Sequence, residues 1–442
     1  MQFTTLGQAL AWLESHVDFE KVAPNRADVP TLQPVVSTLA ALANPHHDYP
    51  TIHITGTNGK GTTTTIASAL LREQGLSVGT FISPDLHRIN ERILVHGEPV
   101  SDSHLTRLLG RLADVEEAIG IRLTRFELLT VAAFLHFSDM GVEVGVIEVG
   151  LGGTWDSTNV IDAAVSVLTN VDLDHTAVLG PTIAHIARDK VGIFRSSGVA
   201  IIGTDDPTVL DIALTRSEEL GCPLLVRGRD FQLEANDLAL GGRLLTFATP
   251  RTRYEEIHLQ LHGIHQGANA VLATVAVEEF LDRPLSHDVV ASTFASVAMP
   301  GRLEVLDQYP LTLIDGAHTP AGVRALVATL DEAFHLIGER RVVLGMLTGR
   351  DVADMVEPFF TLGVNEFVVC EPLSPRAQSA NVLAEYIEQR GGVVTVVTDP
   401  REAVRYARTQ SQPDDHIVIA GSLYLVGDVR AGLLSLPYQH RS

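Results

Sequence analysis

Residues 51–75, TIHITGTNGKGTTTTIASALLREQG, set the strongest limit on how this chain folds. Five residues rich in β-branched side chains enter a glycine-rich turn. The turn opens a helical stretch that Gly75 closes as a C-terminal cap. A strand that feeds a helix cannot pair with its successor as a hairpin; it needs a crossover, and crossovers build parallel sheets covered by helices. The same rhythm recurs at SVGTFI (77–82), VEVGVIEV (142–149), AVSVLTNV (164–171) and VAIIG (199–203), which read as buried strands. Residues 231–261 break it: FQLEANDLALGGRLLTFATP and EEIHLQLHG predict a short antiparallel patch at the edge of the first domain. A helix, HQGANAVLATVAVEEFL, follows, and Pro300 with Gly301 marks a hinge. A second alternation then begins at LTLIDGA, RRVVLGML, EFVVCE, VVTVVTD and HIVIAGS. The expected fold is α/β in two domains, 1–298 with a mostly parallel sheet and 299–442 as a smaller Rossmann-like unit.

The opening turn points to an anion. Between a strand and a helix, glycines expose backbone N–H groups and aim the helix N-terminus at a phosphate. In G-T-N-G-K-G-T, residues 56–62, Lys60 reaches terminal phosphates and Thr62 ligates Mg²⁺, with Gly61 inserted relative to the strict phosphate-loop spacing. Lysine stands only at Lys21, Lys60 and Lys190; every other side-chain cation apart from histidine is arginine. A compact ammonium at a phosphate is not interchangeable with a guanidinium, so Lys60 reads as functional and Lys190 asks for a reason.

Bulk properties narrow the function classes. The formal charge of −22 argues against broad binding to a phosphate backbone and leaves room for a small local anion site. No apolar run has the length of a membrane span, and the N-terminus, with Glu14 and Asp18, reads as an amphipathic helix rather than a signal peptide. Two distant cysteines, Cys222 and Cys370, point to a reducing, cytoplasmic setting.

Ligands in doubly wound sheets bind beyond the carboxyl ends of the strands. Ser83 follows TFI, Glu148 ends VGVIE, and His175 lies in DLDHT. A hydroxyl and a carboxylate there suit magnesium, which prefers oxygen ligands; taken alone, His175 reads equally as a structural histidine and Glu148 as a turn cap. The loop GLGGTWDSTNV (150–160) is either a tight connection or a site of close ligand approach, with Asp156 and Asn159 as polar contacts.

HITGTNGKGT, SPDLHRINERI, RFELLTVAAF, VIEVGLGGTWDSTNV, DLDHTAVLGPTIAHIARDKVGIF, HQGANA, PGRLEV, IDGAHTPAG and GSLYLVGDVR occur in this order. As a set covering nearly the whole chain, they resemble the folylpolyglutamate synthase/dihydrofolate synthase family of the Mur-ligase superfamily. The resemblance implies an N-terminal P-loop ATPase domain and a C-terminal glutamate-ligase domain. It implies an ATP-dependent amide ligase, with folate or dihydropteroate, L-glutamate and ATP as small-molecule partners, no nucleic acid or membrane partner, and a monomer. By motif, Gly56, Thr57, Asn58, Gly59, Lys60, Gly61 and Thr62 would hold the phosphates. Ser83, Glu148 and His175, with Thr62, would hold Mg²⁺. Asn269, Arg302 and Asp315 would bind nucleotide, the last two from the second domain. His318 would lie near the chemistry, and Phe126, Glu127 and Asp156 near the pterin-bearing substrate. Glu127 also reads as part of a sound helix start. Lys190 matches a lysine that the family carries carbamylated: CO₂ on its amine turns a cation into an anion, which a guanidinium cannot do. A structural salt bridge is the plainer alternative.

Three positions depart from the family pattern: Asp85 replaces histidine, Thr319 replaces asparagine, and GGTWDSTN replaces an arginine–leucine version. Asp85 and Thr319 bear on substrate contacts. The rival readings are a related ligase acting on another carboxylate and a nucleotide-binding regulator without catalysis.

Overall fold

The computed structural model describes residues 3–20, 31–334 and 338–434. The chain divides into two units: Met1–Ala239 with Arg243–Gln260 and His265–Val297, and Ala298–Ser442 with Leu240–Gly242 and Leu261–Ile264. The principal boundary falls just before the Pro300–Gly301 pair.

Strands β1 (Thr51–Thr55), β2 (Val78–Phe81), β3 (Ile93–Val95), β4 (Glu98–Pro99), β5 (Val144–Glu148), β6 (Val165–Leu168), β7 (Val199–Ile202) and β8 (Leu224–Val226) form the main sheet of the first unit. Their order is β4-β3-β2-β5-β1-β6-β7-β8. Pairing is parallel from β2 through β8, while β3 and β4 turn back antiparallel. β1 and β5 are buried along their full length. A strand covered on both faces has no solvent side, so it reads as a near-continuous run rather than an alternation.

Parallel strands place their carboxyl ends on one edge. The turn after β1, Glu148 at the end of β5, Ser83 beyond β2 and the segment after β6 therefore share a rim, because β2, β5, β1 and β6 are neighbours. The helix Lys60–Glu73 leaves that rim and buries Ile66, Ala67, Leu70 and Leu71. It ends at Gln74, and Gly75 follows at φ 84°, a conformation glycine adopts without strain. Phe81, Leu105, Leu109, Phe134 and Phe137 lie in one core cluster, and Leu168, Val191, Phe194 and Ile202 in another.

β9 (Gln232–Ala239), β10 (Gly242–Ala248) and β11 (Arg253–Leu259) make a separate three-stranded sheet, with β10 and β11 antiparallel. This is the patch expected from residues 231–261. The second unit carries β12 (Glu304–Gln308), β13 (Leu311–Ile314), β14 (Arg340–Leu344), β15 (Glu366–Val369), β16 (Val393–Val396) and β17 (His416–Ala420), in the order β12-β13-β17-β14-β15-β16. All pairs but β12–β13 are parallel. Val342, Leu344, Phe359, Phe367 and Val418 fill its core. β16 ends the sheet with Val393 65% and Val396 42% exposed. No helix among the described residues is long and apolar enough to cross a membrane.

Candidate active site

Gly56 (φ 152°) and Gly59 (φ 84°) turn the chain out of β1 and into the helix Lys60–Glu73. Space as well as backbone requires them: a Cβ on Gly56 would stand 1.8 Å from Thr169 Oγ1, and one on Gly59 2.4 Å from Asn269 Oδ1. The segment after β6 braces the turn. Asn58 N donates to Asn170 Oδ1 (2.9 Å), Thr57 N to Asn170 O (3.0 Å) and Thr169 Oγ1 to Asn58 O (2.7 Å). The helix has no side-chain cap. An N-terminus whose first-turn N–H groups lack a side-chain acceptor suits a phosphate.

Two amines converge on one carbonyl. Lys60 Nζ donates to Gly56 O (2.9 Å) and Thr57 O (3.3 Å), and Lys190 Nζ donates to Gly56 O at 2.8 Å. Lys190 is buried, at 4% exposure. Burial pushes its amine down to about 7, and repulsion from Lys60 adds to this, while Asp189, Asp174 and Asp156 oppose it. Asp189 is pushed up to about 6, chiefly by burial, with Lys190 opposing. Its Oδ2 is buried without a hydrogen-bond partner. Lys190 is therefore no surface ion pair.

On the rim, Glu148 is buried and its Oε2 accepts from Ser83 N at 3.0 Å. A Cβ on Gly61 would lie 3.7 Å from both Glu148 oxygens, so the carboxylate faces the first turn of the phosphate helix, where Thr62 is also buried. His175 takes a left-handed conformation (φ 49°) at the start of a short helix, half exposed, with Nε2 3.6 Å from Asp174. Among the described residues no three His, Cys, Asp or Glu side chains form a ready metal cluster. The carboxylate and hydroxyls present fit an ion that completes its shell with phosphate oxygens and water.

The loop 150–160 is folded around Asp156. Its carboxylate accepts from Leu151 N (2.9 Å), Thr158 N (3.0 Å) and Thr158 Oγ1 (2.5 Å). Burial raises its pKa and these bonds oppose the rise. Phe126 lies against the loop: a Cβ on Gly150 would be 2.3 Å from Phe126 Cζ, and Phe81 lies 5.8 Å away ring to ring. Glu127 has a different task. Its Oε2 accepts from Thr124 N (2.6 Å) while Glu127 N donates to Thr124 Oγ1, a capping box that starts the helix Arg125–Asp139. The same loop docks on the lysine-bearing helix Ile183–Lys190, where Thr154 N and Oγ1 donate to Asp189 O (3.0 and 2.8 Å). Asn159 joins this packing, donating to Thr154 O and accepting from Arg195 Nη2.

Asn269 is buried on the helix Ile264–Leu281, beside Gly59, and its Nδ2 donates to Gln266 Oε1 (3.1 Å). In the second unit Asp315 accepts from Leu303 N and Ala317 N, both at 2.7 Å. Burial raises its pKa, opposed by Arg302. His318 Nδ1 lies 2.9 Å from Gly316 O. Of the departures, Thr319 N-caps the helix Pro320–Ala333, accepting from Gly322 N (3.1 Å). Asp85 accepts from Arg92 Nε, while the two remaining nitrogens of that buried arginine bind Glu20, each at 2.7 Å. Sequence reasoning missed Asp189, Arg92, Arg195 and His53. The signal for His53 was a polar residue inside an otherwise buried run, TIHIT.

Residues 54–277 match the Mur ligase middle domain, and residues 301–423 match the Mur ligase glutamate ligase domain. The chain is 34% identical to a dihydrofolate synthase/folylpolyglutamate synthase of Mycobacterium tuberculosis, covering 95% of this chain and 91% of that protein. It is 31% identical to a Bacillus subtilis protein of the same name, covering 98% and 100%. Among solved structures, it matches a Mycobacterium tuberculosis folylpolyglutamate synthase complexed with ADP and AMPPCP at a TM-score of 0.89 and 33% identity, covering 97% and 98%. It matches an Escherichia coli structure in complex with DHPP and ADP at a TM-score of 0.87 and 28% identity, covering 98% and 99%.

Proposed function

The chain belongs to the folylpolyglutamate synthase/dihydrofolate synthase family of Mur ligases, and from this we infer that it is an ATP-dependent ligase joining L-glutamate to a folate or dihydropteroate carboxylate. An oxygen of the acceptor carboxylate attacks the γ-phosphorus of ATP; the bond to the β-phosphate oxygen breaks, giving an acyl phosphate and ADP. The glutamate amine, having lost its ammonium proton, attacks the acyl carbon. The tetrahedral intermediate collapses to the amide, and phosphate leaves. Every reactant is anionic, so the protein's part is positioning and cationic charge.

The observation that carries this reading is the meeting of Lys60 and Lys190 at Gly56 O, beside a helix N-terminus without a side-chain cap. We assign Gly56, Thr57, Asn58, Gly59, Lys60, Gly61 and Thr62 to the triphosphate, with Asn269, Arg302 and Asp315 as further nucleotide contacts. Lys60 offsets charge on the transferred phosphoryl group. Thr62, Ser83, Glu148 and His175 would hold magnesium, which supplies further charge neutralisation at the phosphates. Phe126 and Asp156 are placed on the acceptor side and His318 near the acyl carbon; Glu127 serves that side by capping the helix that carries Phe126.

Lys190 is proposed as a carbamate. A buried amine titrating near 7 is largely neutral above that pH; its lone pair attacks CO₂, the N–C bond forms and a proton is released. Two buried cysteines without a disulfide fit a reducing cytoplasm, and a monomer is the proposed working form.

The test is incubation of purified protein with ATP, Mg²⁺, labelled glutamate and either dihydropteroate or tetrahydrofolate. Acceptor-dependent ADP release with label incorporation is expected; no incorporation with either acceptor refutes the assignment. Stripping bicarbonate is expected to lower the rate, with recovery on its return, and insensitivity would remove the carbamate.

A further inference from the structure

β1 carries the phosphate loop at its end, and one of its faces holds three polar side chains, Thr51, His53 and Thr55, of which the last two lie toward that end. His53 and Thr55 reach the glycine-rich loop that follows β5. Thr55 Oγ1 donates to Gly152 O at 2.7 Å. His53 Nε2 lies 2.8 Å from Thr158 Oγ1, and Thr158 Oγ1 donates to Asp156 Oδ1 at 2.5 Å. His53 and Thr158 are fully buried and Asp156 is 3% exposed.

The proton count in this row is constrained. Thr158 has one hydroxyl proton, given to Asp156, so its oxygen accepts from His53 and the imidazole carries its proton on Nε2. His53 Nδ1 is buried with no hydrogen-bond partner. A second proton there would be an unpaired donor in a dry site, and burial holds the imidazole down at about 3, with Arg195 adding to the effect. His53 is thus a neutral, one-directional donor whose bond fixes the Thr158 hydroxyl, and the hydroxyl fixes the carboxylate.

We propose that His53 is a positioning residue for acceptor binding: through Thr158 it orients the Asp156 carboxylate and so shapes loop 150–158 for the pterin-bearing acceptor. The inference rests on the ligase reading only in taking that loop as the acceptor side. His53 itself touches neither substrate nor the reacting atoms; it acts from the core of the sheet. A buried donor that sets a loop's carboxylate should move affinity for what the loop binds, while the phosphate loop on the same strand keeps its own backbone braces at Asn170 and Thr169.

The experiment measures equilibrium binding of dihydropteroate, with ADP and Mg²⁺ present, and of ADP alone by calorimetry. The variants are His53→Leu and Thr158→Val, which remove the relay at near-constant volume, and His53→Gln and Thr158→Ser, which retain a donor and a hydroxyl. Expected is about tenfold weaker dihydropteroate binding in the first pair, ADP affinity within about twofold, and recovery to within about threefold in the second pair. ADP binding also reports that each variant is folded. Equal weakening of both ligands, or a lowered melting temperature with both affinities unchanged, overturns the proposal in favour of a plain structural role. Binding that depends on His53 in a protein that incorporates no glutamate would refute the ligase reading and leave the relay standing.

Discussion

Lys190 shows what a single position discloses and what it conceals. Its being lysine in an arginine-rich chain was visible at once, but its depressed amine was not. That shift comes from burial and from Lys60, a partner supplied by the distant phosphate loop. The consequence for stability has a definite sign. The folded amine titrates near 7 against an ordinary 10.5, so between those values the unfolded chain binds a proton that the folded chain does not. Stability therefore rises as pH climbs from about 7 toward 10, and the buried cation weighs fully below 7. Lys190→Met is expected to gain roughly 1–3 kcal/mol in urea denaturation at pH 6 and much less at pH 10, while glutamate incorporation falls at least about a hundredfold. Lys190→Arg keeps the charge at every pH and is expected to lose both activity and stability. Arg92 carries the opposite risk. Arg92→Met would strip Asp85 of its hydrogen-bonded arginine and leave Glu20 with its longer contact to Arg125 (3.5 Å), at a cost of about 3–5 kcal/mol. Burial works to raise the Asp85 carboxyl, yet the arginine outweighs it and holds it below the usual range. The Asp85 departure is thus answered by a partner within the fold, and Thr319 does as a helix cap what an asparagine does equally well.

Among elements, long buried strands were legible and short peripheral ones were not. β1, β2, β5, β6 and β7 follow from their apolar runs, whereas β3, β4, β8 and β12 were missed. β4, β8 and β12 are sheet edges, where one side lacks a neighbour and the apolar signal thins. The β3–β4 hairpin had a local signature in His96–Gly97, both at positive φ, that periodicity alone passes over. Thr124 and Glu127 were readable as a helix start, and the structure uses them so. Docking of loop 150–160 on the end of the lysine-bearing helix was hidden, because it depends on glycines from distant segments meeting. A Cβ on Gly192 would lie 2.0 Å from Thr154 Oγ1 and 2.9 Å from Thr154 Cα; one on Gly153 would lie 2.8 Å from Asp189 O and Lys190 O. Gly192→Ala is accordingly expected to cost about 1–3 kcal/mol and to displace Lys190. A melting curve together with the bicarbonate response checks it: wild-type response at lowered stability would mean the loop moved without the lysine.

At the scale of the whole molecule the two units have separate cores, so ligand linkage can be read unit by unit. ATP with Mg²⁺ at about 100 times Kd should stabilise whatever it binds by about 2.7 kcal/mol. If Arg302 and Asp315 contact nucleotide, proteolysis in both units slows; protection confined to residues before 298 would remove those two from the site. The charge of −22 also acts at range on anionic substrates. Raising ionic strength from about 0.01 to 0.15 M contracts the Debye length from about 30 to 8 Å. It should therefore raise kcat/KM for ATP, and a value that falls with salt would show that local cations dominate capture. The exposed valines of β16 bear on a different matter, the keeping of the protein. A terminal strand with Val393 and Val396 outward is a template for a second strand once heating loosens its surroundings. Thermal loss should then be second order in protein and irreversible, with the apparent melting point rising with scan rate. Val393→Lys should leave turnover untouched and lengthen shelf life in concentrated stocks.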